Sequence, residues 1–432
     1  MFSFVIAKRR PPVAVLTAGA VGVALVLTTL VAIVASLRRP PIDISDFAAF
    51  WRAGRWTLNG RNGDLYPDSS FGGVGGGSFK GFVNPPHVVA LFAPFAMLSL
   101  RSATAAFIAV NGVVAACLAA AGWRSLRQSE MAPPFAAALL LIAFGSVAVT
   151  TTFINGSLSL VVAGVMVLVV HLDRDGDRWV TGAAAALLSI KPQYAVLPFA
   201  FLVARYRWRA AAGTIGATTA LVVATLPMTG IRAWTRYPSF LARYANSLDI
   251  WNTSNTKELW LARQMLNVRG LLVRMLGTTH VSLINALSAV VLVVAVAVVV
   301  VLARRSTASN QQMTWAAVIG LTVVTSQHTN VADGTLLFVS LFLIAAFRPI
   351  ANATTDQRWT SRVVVASSTL NLAMLFGNPS RLTPIVPWSG IVALTLVGGI
   401  VASAFRAGLS NAIAVDTPAR TNAANRSLFQ PS

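Results

Sequence analysis

Apolar runs of about 20 residues recur from one end of this chain to the other, separated by short arginine-bearing intervals, and that pattern leaves few folds open. A bilayer's hydrocarbon core is about 30 Å thick, so a crossing helix needs a run of that length. The runs fall at Val13 to Leu37, Ala103 to Gly122, Pro134 to Thr151, Leu158 to His171, Trp179 to Ile190, Gln193 to Ala204 and Ala211 to Met228. They resume at Val281 to Ala303, Trp315 to Ser326, Gly334 to Phe347, Val363 to Phe376 and Trp388 to Phe405. That makes about twelve spans, several of them short enough to require tilt or partial burial. Their continuity in Ala, Leu and Val excludes a closed barrel, whose strands alternate apolar and polar side chains. The expected fold class is an all-α polytopic membrane protein.

Charge supports this reading. Of 432 residues, 56% are hydrophobic and only 11% charged, against about 25% charged in a soluble domain. The 34 basic residues outnumber the 13 acidic ones to give +21, which in a soluble protein would suggest nucleic acid. Here the arginines sit between spans with no nucleic-acid reader motif, so topology and anionic lipid headgroups account for them, and nucleic acid is not an expected partner. The lone Cys117 excludes a disulfide framework.

Basic residues concentrate toward the cytoplasm. Arg124 and Arg127, Arg174 and Arg178, Arg205 with Arg207 and Arg209, Arg304 and Arg305, and Arg348 with Arg358 therefore mark one side as inside. The same parity places both termini inside and two long loops outside, at residues 38–101 and 230–280; Arg38 and Arg39 run against it. Residues 1–407 form the transmembrane domain, and the polar tail 408–432 is expected to be disordered and cytoplasmic. The apolar stretch Pro86 to Leu100, interrupted by Pro94, suits an interfacial helix in the first loop. The second loop interleaves Trp234, Tyr237, Tyr244, Trp251 and Trp260 with arginines, as an interfacial surface does.

Two soluble-enzyme signatures fail. The run Gly72 to Lys80 lacks the GK[ST] ending of a phosphate loop, and His87, His171, His280 and His328 have no metal-ligand spacing. What remains polar lies on the predicted outer side: Asp43 and Asp46, the turn Asn155-Gly156-Ser157, the hairpin apex Lys191-Pro192-Gln193-Tyr194, and Gln327-His328-Thr329-Asn330 with Asp333. A carboxylate, a lysine and a histidine converging there suit transfer of a sugar from a phosphate: the carboxylate takes a proton from the acceptor hydroxyl and cations stabilise the departing phosphate. Simpler roles compete. Asp43 and Asp46 would cap the helix expected over Phe47 to Trp56, Lys191 would anchor at the interface, His328 would be packed and hydrogen-bonded, and Asn155 would close a tight turn.

The stretch Asp46-Phe47-Ala48-Ala49-Phe50-Trp51-Arg52-Ala53-Gly54, then Asp64-Leu65-Tyr66 and Asn84-Pro85-Pro86, resembles the first outer loop of glycosyltransferase family 87. Asn155-Gly156-Ser157, Ile190-Lys191-Pro192-Gln193 followed by Arg205 to Arg209, and Ser326-Gln327-His328 with Asp333 are similar to further family segments, in family order over about residues 40 to 350. Phe50 stands where the family usually has Tyr, Asn84 replaces a Tyr, and Gln327 replaces a Pro.

The resemblance implies a GT-C fold and a bacterial cytoplasmic-membrane enzyme. It would transfer a sugar, typically mannose, from a polyprenyl-phosphate donor to a glycolipid or glycan acceptor on the extracytoplasmic side. Asp46 then takes the position of the catalytic base. His328 joins it at the site, Lys191 and Arg52 face the donor phosphate, and Asp43, Asn155, Gln193 and Asp333 bind substrate. No metal and no cofactor are expected. A transporter or lipid-linked-sugar flippase shares the helix count and basic charge, but the chain shows no paired halves and its polar groups gather at one surface rather than at the midplane. A transferase using arabinose or glucose differs only in substrate.

Overall fold

The computed structural model describes residues 13–38, 45–66, 82–129, 131–246, 265–347, 362–363, 365–374 and 388–416. Among them there is no strand. The chain runs through α1 (Val13–Arg38), α2 (Asp46–Leu58), α3 (Val88–Ala96), α4 (Leu100–Gln128), α5 (Pro133–Phe144), α6 (Val147–Asn155), α7 (Ser159–Asp173) and α8 (Trp179–Ala186). It continues as α9 (Val196–Ala204), α10 (Trp208–Asn246), α11 (Val268–Leu276), α12 (Val281–Arg304), α13 (Gln311–Thr325) and α14 (Gly334–Ala346). A helical stretch over 365–374 precedes α15 (Trp388–Asp416).

Five described helical segments are long and apolar enough to cross a membrane: Leu100–Gln128, Pro133–Asn155, Trp208–Ala245, Val281–Arg304 and Gly390–Ala407. Their outer faces carry large apolar side chains, among them Val113 on α4, Val223 on α10 and Val290, Val293 and Val294 on α12. In water such faces would each lose about 25 cal/mol for every Å² left uncovered; lipid tails remove that cost. The protein is an integral membrane protein. Other expected spans, such as Ser159–Asp173 and Trp179–Ile190, are shorter helices set within the bundle. Both Val162 and Met166 of α7 are fully buried.

The structure departs from the sequence pattern in three places. The run Pro134 to Thr151 is broken at Gly145 and Ser146, where α5 ends and the Ser146 hydroxyl caps α6 by accepting from the Val149 N–H. Gly145 is needed there because a Cβ would meet the α1 backbone at Val26, 2.7 Å away. Second, the described parts of the outer interval 230–280 are largely helical. Gly230, at φ 72°, kinks α10, which then continues to Asn246, and α11 follows. Two of its aromatic residues bury against the first loop: Tyr237 and Phe240 pack at a tilt on Tyr66, and Arg236 donates to the Gly63 carbonyl at 2.9 Å. Third, α15 extends to Asp416, past the start of the expected tail, because 408–415 contain no proline and several good helix formers. The rest of the tail, like Asp43 and the run Gly72 to Lys80, lies outside the described residues.

Side-chain bonds fix the helix directions. Ser159 at the start of α7, Lys191 after α8 and Asp333 before α14 meet at one end. Asp173 at the end of α7, Arg205 after α9 and Gln311 at the start of α13 meet at the other. Alternating up and down helices therefore present two chemically distinct poles.

Candidate functional site

The first pole is built from four interruptions of helix. Ser45 caps α2, its hydroxyl accepting from the Ala48 N–H at 3.1 Å, so capping falls to Ser45 and Asp46 is the first helical residue, half-buried. Asn155 ends α6, and Gly156 closes it in a left-handed conformation (φ 62°). Phe47 presses on Gly156 so closely that a Cβ would overlap it, which ties the start of α2 to this turn. Lys191 stands between two short 3-10 turns, Leu187–Ile190 and Pro192–Tyr194, since Pro192 cannot continue the first. The fourth interruption is the turn 326–333, closed by a reciprocal capping box between Asn330 and Asp333.

Asp333 is the hub. Its Oδ1 accepts from Lys191 Nζ at 2.8 Å and from the Ser159 hydroxyl at 2.6 Å, while its Oδ2 accepts from the Asn330 N–H at 2.9 Å. Burial pushes the carboxyl up; the Lys191 charge and the hydrogen bonds from Lys191, Ser159 and Asn330 outweigh it and hold Asp333 below the usual carboxylate range. With 1% of its side chain exposed and both oxygens engaged, Asp333 is tied first to Lys191, Ser159 and Asn330. Lys191 is 13% exposed and keeps further N–H donors after serving Asp333. Its ammonium also lies 5.4 Å from the centre of the buried Tyr194 ring.

Asp46 reaches this hub along two routes. One passes through Phe47, Gly156 and the Ser157–Ser159 hydroxyl pair (2.8 Å) to Asp333. The other passes through Tyr244, whose hydroxyl lies within electrostatic reach of both Asp46 and Arg269, and whose ring meets His328 edge-on at 6.3 Å. The half-buried His328 belongs to the same turn as Asp333. Arg269 in turn donates to Gln327 Oε1 at 3.1 Å, and Asn267 to the Ser326 carbonyl at 2.7 Å. Asp46, Asn155, Lys191, His328 and Asp333 thus share one pole. The half-buried Gln193 sits in the 3-10 turn after Lys191. Arg52 lies about 240° around α2 from Asp46 at 100° per residue, on a different flank.

Two residues at this pole escape the sequence reading. His87 contacts the Ser189 hydroxyl at 3.1 Å and stacks flat on Trp234 at 5.8 Å, and Asn84 donates to the Ile190 carbonyl at 3.0 Å. Together they clamp the first loop onto the Lys191 hairpin. Burial pushes the His87 imidazole down, so it is neutral near pH 7. The motif Asn84-Pro85-Pro86 is the sequence signal for this clamp, while His87 beside it carries no metal-ligand spacing to mark it.

A helical membrane protein with carboxylate, ammonium and imidazole groups gathered at one end of its bundle fits the membrane-embedded transferases. The model of glycosyltransferase family 87 matches residues 82–327, more than half of the chain, and the protein belongs to that family as a membrane glycosyltransferase. The matched span takes in Asn155, Lys191 and Gln193, while Asp46, Arg52, His328 and Asp333 lie outside it. No curated protein and no solved structure is significantly similar.

Proposed function

We propose that this glycosyltransferase moves mannose from a polyprenyl-phosphate donor to a lipid-linked or glycan acceptor at the outer face of a bacterial cytoplasmic membrane. The fold this implies is GT-C, with the shorter helices completing about twelve crossings by tilt. Asp46 accepts the proton of the acceptor hydroxyl as its oxygen attacks the anomeric carbon. The bond from that carbon to the phosphate oxygen breaks, and the phosphate leaves against the Lys191 ammonium with His328 beside it. A single displacement inverts the anomeric centre, because one base suffices and no second carboxylate serves as nucleophile.

One observation carries the reading: Lys191, a cation with spare donors, is fixed by a buried carboxylate at the pole that also holds the start of α2 and Asp46. Asp333 is then a positioning residue for Lys191. Asn155 and Gln193 flank the same space, Arg52 approaches from the other flank of α2, and Asp43 precedes it. The donor's lipid tail lies among helices while its head reaches the polar pole.

The test is product analysis with membranes containing the protein and a panel of polyprenyl-phosphate sugars. A new glycosidic bond to mannose with inverted configuration is the expected result. Passage of labelled donor across liposomes without any glycosidic product would replace this reading with that of a flippase.

A further inference from the structure

The pole opposite the candidate site holds a basic cleft of about 330 Å³, lined by Arg205, Tyr206, Arg207, Arg304 and Ser306 with two alanines. Its walls are the turn after α9 and the end of α12. One carboxylate engages two of the cleft's arginines, and the others around it are committed elsewhere. Asp173 is held by Arg205 at 2.8 Å and Arg207 at 3.3 Å; Asp175 pairs with Arg178 at 3.2 Å; Asp177 accepts the Arg209 and Ala210 N–H groups that begin α10. Arg304 has no carboxylate partner among the described residues. Its guanidinium carbon lies over the Tyr206 ring, 4.0 Å from its centre.

Tyr206 is the one described non-glycine residue with positive φ, 60°. That conformation costs a bulky residue about 1 kcal/mol or more, and here it sets the ring under the guanidinium. The Ser306 hydroxyl in the same wall is buried with no hydrogen-bond partner. An unpaired cation held in place, a second arginine, an unsatisfied hydroxyl and an open cleft together match a tetrahedral oxyanion, which takes guanidinium donors side by side.

We infer that this cleft binds a phosphate group at the membrane face opposite the sugar-transfer site, with Arg304 and Arg207 donating guanidinium N–H and Ser306 its hydroxyl. Either the headgroup of an anionic phospholipid or a soluble phosphate supplies that chemistry. The inference is independent of the donor proposed above, because no residue of the first pole takes part.

The experiment uses the full-length protein in a zwitterionic detergent, titrated with phosphatidylglycerol, phosphatidylcholine, glycerol phosphate and inorganic phosphate, with bound species counted by native mass spectrometry. Wild type is expected to retain phosphatidylglycerol over phosphatidylcholine, and Arg304→Gln to bind it about tenfold more weakly, as expected for loss of a charge-assisted hydrogen bond. Ser306→Ala should weaken it less, and sugar transfer and the melting midpoint should be unchanged in both variants. Retention of glycerol phosphate or inorganic phosphate, lost in Arg304→Gln, would identify a soluble occupant of the same site. Equal binding of every probe by wild type and Arg304→Gln would overturn the inference, as would a preference for phosphatidylcholine.

Discussion

Helix α7 separates two buried aspartates by roughly 21 Å, and each pole of the molecule is organised around one of them. At the far pole Asp173 draws in four side chains: Arg205 at 2.8 Å, Gln311 at 2.6 Å and Trp315 at 2.9 Å on Oδ2, and Arg207 in an ion contact of 3.3 Å with Oδ1. At the near pole Asp333 holds a single lysine, whose side chain stays 13% exposed. The first arrangement is a knot that ties α7, α9 and α13 together. The second fixes one cation in place while leaving it donors for a ligand. A buried ion pair can therefore serve structure or chemistry: the Asp173 cluster joins four side chains from two other stretches of chain to α7, whereas the Asp333 pair orients one ammonium that keeps donors in reserve.

Breaking the knot should give the largest effect on stability. Asp173→Ala strands two arginines beside the core and is expected to cost about 3–5 kcal/mol, read as a lower melting midpoint in detergent. Turnover per folded molecule should hold near the wild-type value. If transfer falls without loss of stability, the assignment of the two poles is wrong.

Lys191→Ala inverts that pattern. Loss of charge-assisted hydrogen bonds to the donor phosphate should lower kcat/KM for the donor by roughly 10- to 100-fold, with a smaller change in acceptor KM. It also strands Asp333, so the double variant Lys191→Met with Asp333→Asn should regain stability without regaining transfer. Equal losses in donor and acceptor titrations would assign Lys191 a purely structural part.

Gly156→Ala probes the contact that brings Asp46 to the hub. Positive φ and the touching Phe47 side chain together should cost about 1–3 kcal/mol, and transfer should fall as α2 shifts. An unchanged midpoint with full activity would detach α2 from the site.

The smallest effect concerns pH. The Asp333 carboxyl is held low, so its contribution to stability is complete above its unfolded value of about 3.9 and is lost as pH falls through the folded value below that. Melting midpoints between pH 3 and 6 should therefore fall at the acid end in wild type and less so in Asp333→Asn. Parallel curves would show that the Lys191–Asp333 pair adds nothing to stability.

Much of this was legible in the chain. Continuous apolar runs identified α7 and α12 with ends close to those observed and α4 short of its far end, and Pro192 marked the break at Lys191. The near pole was legible because its polar residues interrupt long apolar runs, where a charge stands out. The far pole was not. Asp173 lies within a charged interval that topology alone explains, and nothing local shows that its partners include Gln311 and Trp315, more than a hundred residues away. The break at Gly145 was hidden for a related reason: close approach of α1 to α6 demands it, and apolar periodicity does not report which helices touch. Helix α10 ran past its expected end because aromatic residues that suit an interface suit an aromatic cluster with the first loop equally well.

The central claim is that Asp46 acts as the base at the pole that also holds Lys191. Asp46→Asn keeps shape and removes the proton acceptor, so donor binding by the full-length variant and its single-turnover transfer of mannose separate the two roles directly. The expected result is wild-type donor affinity with transfer slowed by about 10²–10⁴-fold, the range of general-base catalysis. Transfer at a near-normal rate would contradict it.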